Sequence, residues 1–257
     1  MPEESSIERG RYFLKDTVRR KIDFSQVDQH RGIRPPPIEK PFRKDGELVD
    51  LVSVGDWNGI TAVSVESAIQ YRESQRSFTG DPLTLDELSF LLWATQGIRQ
   101  QLDAGTALRT VPSAGARHAF ETYLCIFQVT GLEPGFYRYL PVEHKLLQEF
   151  QEDHAAAKIT AATLGQSFVA GAAVVFIWTT IPYRMEWRYG AAAHKTIAID
   201  AGHVCQNLYL ACKAIGAGTC AVAAYHQDLM DQLLRIDGTD EFVIYLAPVG
   251  KVPPGKR

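Results

Sequence analysis

The 257-residue chain is expected to form an α+β fold, with a central, mostly antiparallel sheet flanked by helices and one long helix in the core. Three observations predict it. Between Ala191 and Ile215 the residues Ile197, Ala201, Val204, Leu208, Ala211 and Ile215 recur at steps of four and three, the period of one helix face. Thr122–Val129 and Phe136–Leu140 are β-rich runs on either side of Gly131-Leu132-Glu133-Pro134-Gly135, which is turn chemistry, so together they make a hairpin. Ala172–Thr179 is short, apolar and β-branched at its centre, as a buried strand requires. No regular βαβ repeat links these elements, which argues against a doubly wound parallel sheet.

The remaining elements follow in chain order. Residues 1–60 are rich in charge and carry Arg19-Arg20-Lys21 and Arg34-Pro35-Pro36-Pro37. Prolines fix an extended path and stop helices, so this stretch is an N-terminal arm. It either wraps over a surface or stays a partly disordered tail, and its basic cluster is a solvated helix face. One domain is expected over 61–257. Ser64–Gln70 is a short helix and Tyr71–Gly80 a polar loop. Thr84 and Glu87 form a capping box that opens a helix running to about Thr95 and burying Leu85, Leu88, Leu92 and Trp93. A polar, Ala-rich helix spans about 153–164. Gly216 stops the long helix as the glycine just past its C-cap. A strand at 219–223, a helix at about 227–235 and a last strand over Glu241–Pro248 complete the domain.

Composition excludes several function classes. Hydrophobic residues make up 46% and charged residues 22% of the chain, as in ordinary globular proteins. A net charge of -3 gives no footprint for nucleic-acid binding. The longest apolar run, Val169–Trp178, is far short of the roughly 20 residues of a membrane-spanning helix. The opening MPEESSIERGR has no apolar stretch of signal-peptide type, and a cytoplasmic protein is expected. Cys125, Cys205, Cys212 and Cys220 form no CxxC pair. On one helix, Cys205 and Cys212 would stand roughly 10 Å apart, too far for a disulfide, so all four are expected as buried small hydrophobes. The histidines show no paired-ligand spacing, and no metal site is expected. His203, close to the inward face of the long helix, is expected as a satisfied core histidine ahead of the alternative, a catalytic one.

The sequence has no GxGxxG, GxxxxGK[ST] or GxSxG, which removes support for dinucleotide fingerprints, P-loops and the hydrolase elbow. What remains is a set of loops suited to an anion and a flat ligand. Arg72, Ser74 and Arg76 alternate along one loop, and in an extended segment every second side chain points the same way. Two guanidiniums and a hydroxyl would then converge on a site suited to phosphate, although on a surface loop such residues are usually just solvated. Pro112-Ser113-Ala114-Gly115 is a small-residue loop able to bring backbone N–H groups close to a ligand. Gly216-Ala217-Gly218-Thr219-Cys220 is either a third such loop or simply a helix stop.

The order of these features is more specific than any one of them. YRESQRSF (71–78), PSAGARHAFETYL (112–124), GLEPGFYRY (131–139), DAGHVCQNLYLA (200–211) and YLAPVGK (245–251) resemble the FMN-dependent nitroreductase superfamily, and within it the SagB-type dehydrogenase (thiazole/oxazole-forming oxidase) branch. The resemblance covers about 61–251. It implies an intertwined homodimer with FMN at the subunit interface, held by both subunits. By position, Arg72, Ser74 and Arg76 would hold the phosphate and the flavin pyrimidine edge. Pro112, Ser113, Ala114 and Gly115 would line the isoalloxazine, Ala221, Val222, Ala223 and Ala224 would present backbone to N5, and Lys251 would approach the ribityl phosphate. The implied activity is hydride transfer through flavin N5, with NAD(P)H or an organic donor and a nitroaromatic, quinone or O2 as acceptor. Its alternatives are oxidation of a peptide- or amine-derived, azoline-like substrate, and a flavin-binding dimer without turnover. Two departures stand out. Ala223 and Ala224 replace the acid and glycine of many flavoreductases, and Arg188-Tyr189 stands where peptide-azoline oxidases carry Lys-Tyr. An arginine is a poor base, because its pKa stays above about 12; Tyr189 would then act as proton donor or acceptor, or else the pair is simply a surface arginine and a packed tyrosine.

Overall fold

Capping residues and apolar periods set most of the element boundaries. The computed structural model describes residues 5–253, so the outermost residues of both expected units lie outside the described chain. Helix α1 (Ser6–Leu14) is opened by a capping box between Ser5 and Glu8 but buries none of its side chains. Two 3-10 segments, Asp16–Lys21 and Phe24–Gln26, follow it, with Arg19, Arg20 and Lys21 exposed. Beyond strand β1 (Leu48–Asp50) lies helix α2 (Val65–Gln70), capped by Ser64. Helix α3 (Leu85–Gln96) carries the expected Thr84/Glu87 capping box. It buries Leu88, Leu91 and Leu92, while Leu85 and Trp93 are only half-buried. Trp93 instead packs against Trp57, ring centroids 5.1 Å apart.

The sheet strands are β4 (Phe120–Ile126), β5 (Gly135–Leu140), β6 (Lys145–Phe150), β7 (Val174–Thr180), β8 (Ala217–Thr219) and β9 (Phe242–Lys251), joined by β1; β2 (Ile98–Asp103) and β3 (Thr106–Arg109) form a separate hairpin. The seven strands run in the order β1-β6-β5-β4-β7-β9-β8, every ladder antiparallel. Strands β4 and β7 are buried along their whole lengths, because helices cover both faces. Leu124, Phe176 and Trp178 point to one face, packing with α3 and the long helix α6 (Ala193–Ala214). Tyr123, Cys125, Val175 and Ile177 point to the other, against α4 (Ala155–Ala162) and α7 (Gln227–Leu234). A strand buried on both faces needs no polar alternation, which accounts for the unbroken apolar run at 172–179.

Helix α6 buries Ile197, Ala201, Val204, Leu208 and Ala211 in the stripe expected of it. It ends at Gly216, whose φ of +63° turns the chain at once into β8, two residues ahead of the expected strand at 219–223. The strands β1 and β6 and the β2–β3 hairpin are additions to the expected set. All four cysteines are free and buried.

The arm is docked from Val27 onward. Its contacts converge on α5 (Tyr183–Tyr189) and on the sheet. Gln29 N donates to Trp187 O (2.9 Å), Trp187 Nε1 to Ile33 O (2.9 Å), and Tyr183 Oη to Asp28 (2.8 Å). Lys40 reaches the sheet, its amide donating to Glu121 Oε1 (2.7 Å) and its ammonium to Glu241 (2.5 Å). Glu121 is fully buried; burial would raise its carboxyl, but Arg184 and Arg138 outweigh that and hold it below the usual carboxylate range.

Candidate functional site

Two clusters of the expected site residues form, one toward each end of α6. At the C-terminal end, the loop after α2 makes a single bridge at Ser74 to Thr219 of β8, and Gln75 N donates to Thr219 O (2.9 Å). A Cβ on Gly218 would come within 2.7 Å of Gln75 Cβ, so the close approach needs a glycine there. The Arg72 guanidinium lies 5.3 Å from the ring centroid of Tyr209 on α6. Tyr209 Oη shares a hydrogen bond with Ser74 Oγ (3.0 Å) and accepts one from the Ala221 amide (2.8 Å). One phenol therefore joins the 71–76 loop to the 221–224 segment.

Within that segment Val222 is buried and bridged to Leu246, whereas Ala223 and Ala224 are exposed. Arg76 departs from the expected convergence. Its guanidinium lies over Phe168, 5.9 Å from the ring centroid, because the loop is ladder-paired only at Ser74 and does not keep a strand's alternation beyond it. Neither Arg72 nor Arg76 takes part in an ion pair among the described residues. Lys251 is committed elsewhere, donating from its ammonium to the Glu87 carboxylate and to Ile215 O (2.6 Å). Only its backbone meets the loop, where its carbonyl accepts from Thr79 N (2.9 Å).

The second cluster surrounds Pro112–Gly115. Gly115 has a φ of +58°, and a Cβ there would fall 2.6 Å from Tyr189 Oη and 2.9 Å from Arg188 Nε. The last two residues of α5 thus press on the loop where a side chain would otherwise stand. From α6, buried Asp200 holds the other side, bonding to the Ser113 hydroxyl and accepting from Ala114 N (3.3 Å). Burial pushes the Asp200 carboxyl up from its ordinary value. Ser113 Oγ accepts from His118 N (3.0 Å). His118 is itself buried, and burial together with neighbouring Arg109 pushes its imidazole down to about 2. Asp200 and Tyr209 are nine residues apart on one helix, a rise of about 13 Å, so within one chain the two clusters are separate.

Sequence reasoning missed Asp200 and Tyr209 as organisers. The signal for Asp200 was an acid in line with the apolar stripe, three residues after Ile197. His203 is not a core histidine: its side chain is 44% exposed, with Nδ1 3.7 Å from Asp200 Oδ1. It precedes Val204 by one residue, about 100° around the helix, which carries it off the inward stripe. Among the described residues, no three His, Cys, Asp or Glu side chains could hold a metal ion, and no helix is long and apolar enough to cross a membrane.

The Nitroreductase family matches residues 69–251. The chain is 33% identical over 192 residues to the protein named "Putative nitroreductase MJ1384" from Methanocaldococcus jannaschii, covering 75% of this chain and 93% of that one. It is 23% identical over 231 residues to the trifolitoxin-processing protein TfxB of Rhizobium leguminosarum bv. trifolii, covering 87% of this chain and 61% of TfxB. The fold is similar to a crystal structure described as "a putative nitroreductase" from Ralstonia eutropha JMP134, with TM-score 0.66 and 24% identity over 86% of this chain and all of that one. The family match runs from α2 to the end of β9 and takes in both clusters; the chain belongs to the nitroreductase family.

Proposed function

We propose that the protein is an FMN-dependent oxidoreductase of two substrates, working as a homodimer in which each flavin is held by both subunits. The observation that carries this reading is Tyr209, whose hydroxyl ties Ser74 to the Ala221 amide beneath the Arg72 guanidinium, which joins no ion pair among the described residues. A cation, a hydroxyl and exposed backbone converging there fit a phosphate-bearing planar cofactor. Pro112–Gly115 stands toward the other end of α6, and in the proposed homodimer a second copy would bring that loop to each flavin. Lys251, already paired with Glu87, is not needed as a phosphate ligand.

FMN bound there would supply a two-electron carrier that takes hydride from a donor and gives it to an acceptor. NAD(P)H or an organic molecule would serve as donor, and a nitroaromatic, a quinone or O2 as acceptor. The chain's own residues orient and protonate. Arg72 neutralises phosphate charge, and Asp200 fixes the Ser113–Ala114 backbone. Tyr189, its hydroxyl against Gly115, gives or takes the proton that accompanies hydride, with Arg188 beside it as a fixed positive charge.

A second reading is favoured by the likeness to TfxB, a trifolitoxin-processing protein: oxidation of a peptide- or amine-derived, azoline-like substrate. Anaerobic mixing of the FMN-loaded protein with NADH or NADPH tests both. Donor-dependent bleaching of the flavin supports the first reading. Bleaching only by an azoline-type substrate supports the second, and none with any donor leaves a flavin binder without turnover. Tyr189→Phe should slow bleaching while leaving flavin affinity unchanged, and equal rates would reduce Tyr189 to packing.

A further inference from the structure

Helix α5 ends on Arg188 and Tyr189, and a helix of seven residues is marginal in water by itself. Its direction therefore comes from what packs on it. The core sets the first turn: Met185 is fully buried, and buried Arg184 pairs with Glu121. The second turn meets the N-terminal arm. Trp187 O is among the last carbonyls of the helix, which have no partner within it, and Gln29 N donates to it (2.9 Å). Trp187 is 7% exposed, and its Nε1 donates to Ile33 O (2.9 Å). The Arg117 guanidinium, two residues past Gly115, lies 4.9 Å from the centroid of the same ring. A Cβ on Gly190 would stand 3.6 Å from Val27 Cγ1 and 3.7 Å from Ile22 Cγ2, so apolar side chains of the arm rest on the turn just after Tyr189. Tyr183 Oη closes the seat by donating to Asp28 (2.8 Å).

We propose that residues 28–33 form a positioning strap, which holds the second turn of α5 so that the Tyr189 hydroxyl and Arg188 stay against Gly115. Asp28 acts through Tyr183, and the backbones of Gln29 and Ile33 act through Trp187. Trp187 is caught between Ile33 on the arm and Arg117 beyond the loop, and Tyr189 follows it in the same turn. Lifting the strap would leave a carbonyl and an indole N–H without partners. An unpaired buried donor or acceptor costs more than the bond itself contributes. The turn would then rotate to bring both groups to water, carrying Tyr189 off Gly115. The strap's far end is fixed independently, because Lys40 donates to Glu121 and Glu241, so residues 28–33 stay tethered even when lifted. The strap's importance to turnover rests on the proposed role of Tyr189; the positioning itself does not.

Fluorine NMR of the full-length protein labelled with 3-fluorotyrosine tests the proposal, with Tyr183 and Tyr189 assigned by the lines missing from Tyr183→Phe and Tyr189→Phe. The double variant Asp28→Ala/Gln29→Pro removes the acceptor for Tyr183 and the donor to Trp187 O, and leaves α5 itself unaltered. Its Tyr183 line should move, which reports that the strap has lifted, and its Tyr189 line should shift and broaden. Tyr225, whose hydroxyl donates to Val243 O on β9 (2.9 Å), should keep its line. Asp28→Asn, which retains an acceptor for Tyr183, should leave all three lines in place. A Tyr189 line that stays put while Tyr183 moves would overturn the proposal, as would a double variant in which neither moves or in which Tyr225 moves with them. Should the double variant fail to fold, Asp28→Ala alone decides by the same lines. With FMN loaded, the double variant should bleach about tenfold more slowly with NADH or NADPH at unchanged flavin affinity. Full-rate bleaching beside a displaced Tyr189 line would leave the strap standing and sink the proposed role of Tyr189 alone.

Discussion

Tyr209 Oη stands 3.0 Å from Ser74 Oγ, so a phenol on α6 fixes a loop 135 residues earlier in the chain. The same oxygen satisfies the Ala221 amide. Tyr209→Phe removes both bonds and leaves a partly buried N–H without its partner, a loss of about 1–3 kcal/mol. FMN affinity should fall about tenfold while the helical signal of the protein is kept. Fluorescence titration with FMN, beside circular dichroism, measures this; unchanged affinity would separate Tyr209 from the cofactor site.

Replacing Arg72 and Arg76 together with alanine should strip FMN and leave the fold and the proposed dimer intact. Because Arg76 lies over Phe168 while Arg72 lies over Tyr209, Arg72→Ala alone should account for most of the loss. If Arg76→Ala were the more damaging change, the phosphate would sit on the Phe168 side of the loop.

At Gly115, alanine meets two obstacles, a positive φ and a Cβ position 2.6 Å from Tyr189 Oη. Backbone strain of this kind costs about 1–3 kcal/mol, and the clash must push Tyr189 or the loop aside. Gly115→Ala should therefore lower both the unfolding midpoint and the rate of substrate oxidation. A variant with lowered stability but full turnover would show that the Tyr189 hydroxyl need not stay against the loop.

Stability should fall in two stages on acidification. His118 is pushed down to about 2 by burial and Arg109, and His144 is lowered chiefly by burial. His118 stays neutral in the folded protein and His144 protonates there later than in the unfolded chain, which takes up protons below about pH 6.5. Stability is then complete above that pH and declines as pH falls through it, by up to about 1.4 kcal/mol per pH unit for each histidine. Glu121, held low by Arg184 and Arg138, adds a second loss below about pH 4.3, where the unfolded carboxyl protonates first. His118→Asn, which tolerates the residue's φ of +45°, should reduce the difference between urea unfolding at pH 7.5 and at pH 5.5. An unaltered difference would show that His118 does not titrate this way.

Elements with a single strong local cause could be read from the sequence. The apolar stripe of α6, the Thr84/Glu87 box of α3 and the β4–β5 hairpin each needed only neighbouring residues to declare themselves. The β2–β3 hairpin did not, because Arg99, Gln100, Gln101 and Asp103 are exposed and the segment has no apolar alternation. Strand β1, only three residues long, exists because it pairs with β6. The site was legible as segments but not as contacts. That Asp200 holds Ser113 and Ala114, or that Lys251 pairs with Glu87, depends on which loops the packed helices bring together. Arg76 shows the converse: the alternation rule fails where the chain is bridged at one residue only.

The visible absorption spectrum of the protein, first as purified and then after reconstitution with FMN and removal of the excess, tests the central claim most directly. A flavin spectrum at one FMN per subunit is the predicted result. A colourless protein that also refuses added FMN would contradict the account at its main link, whatever the fold.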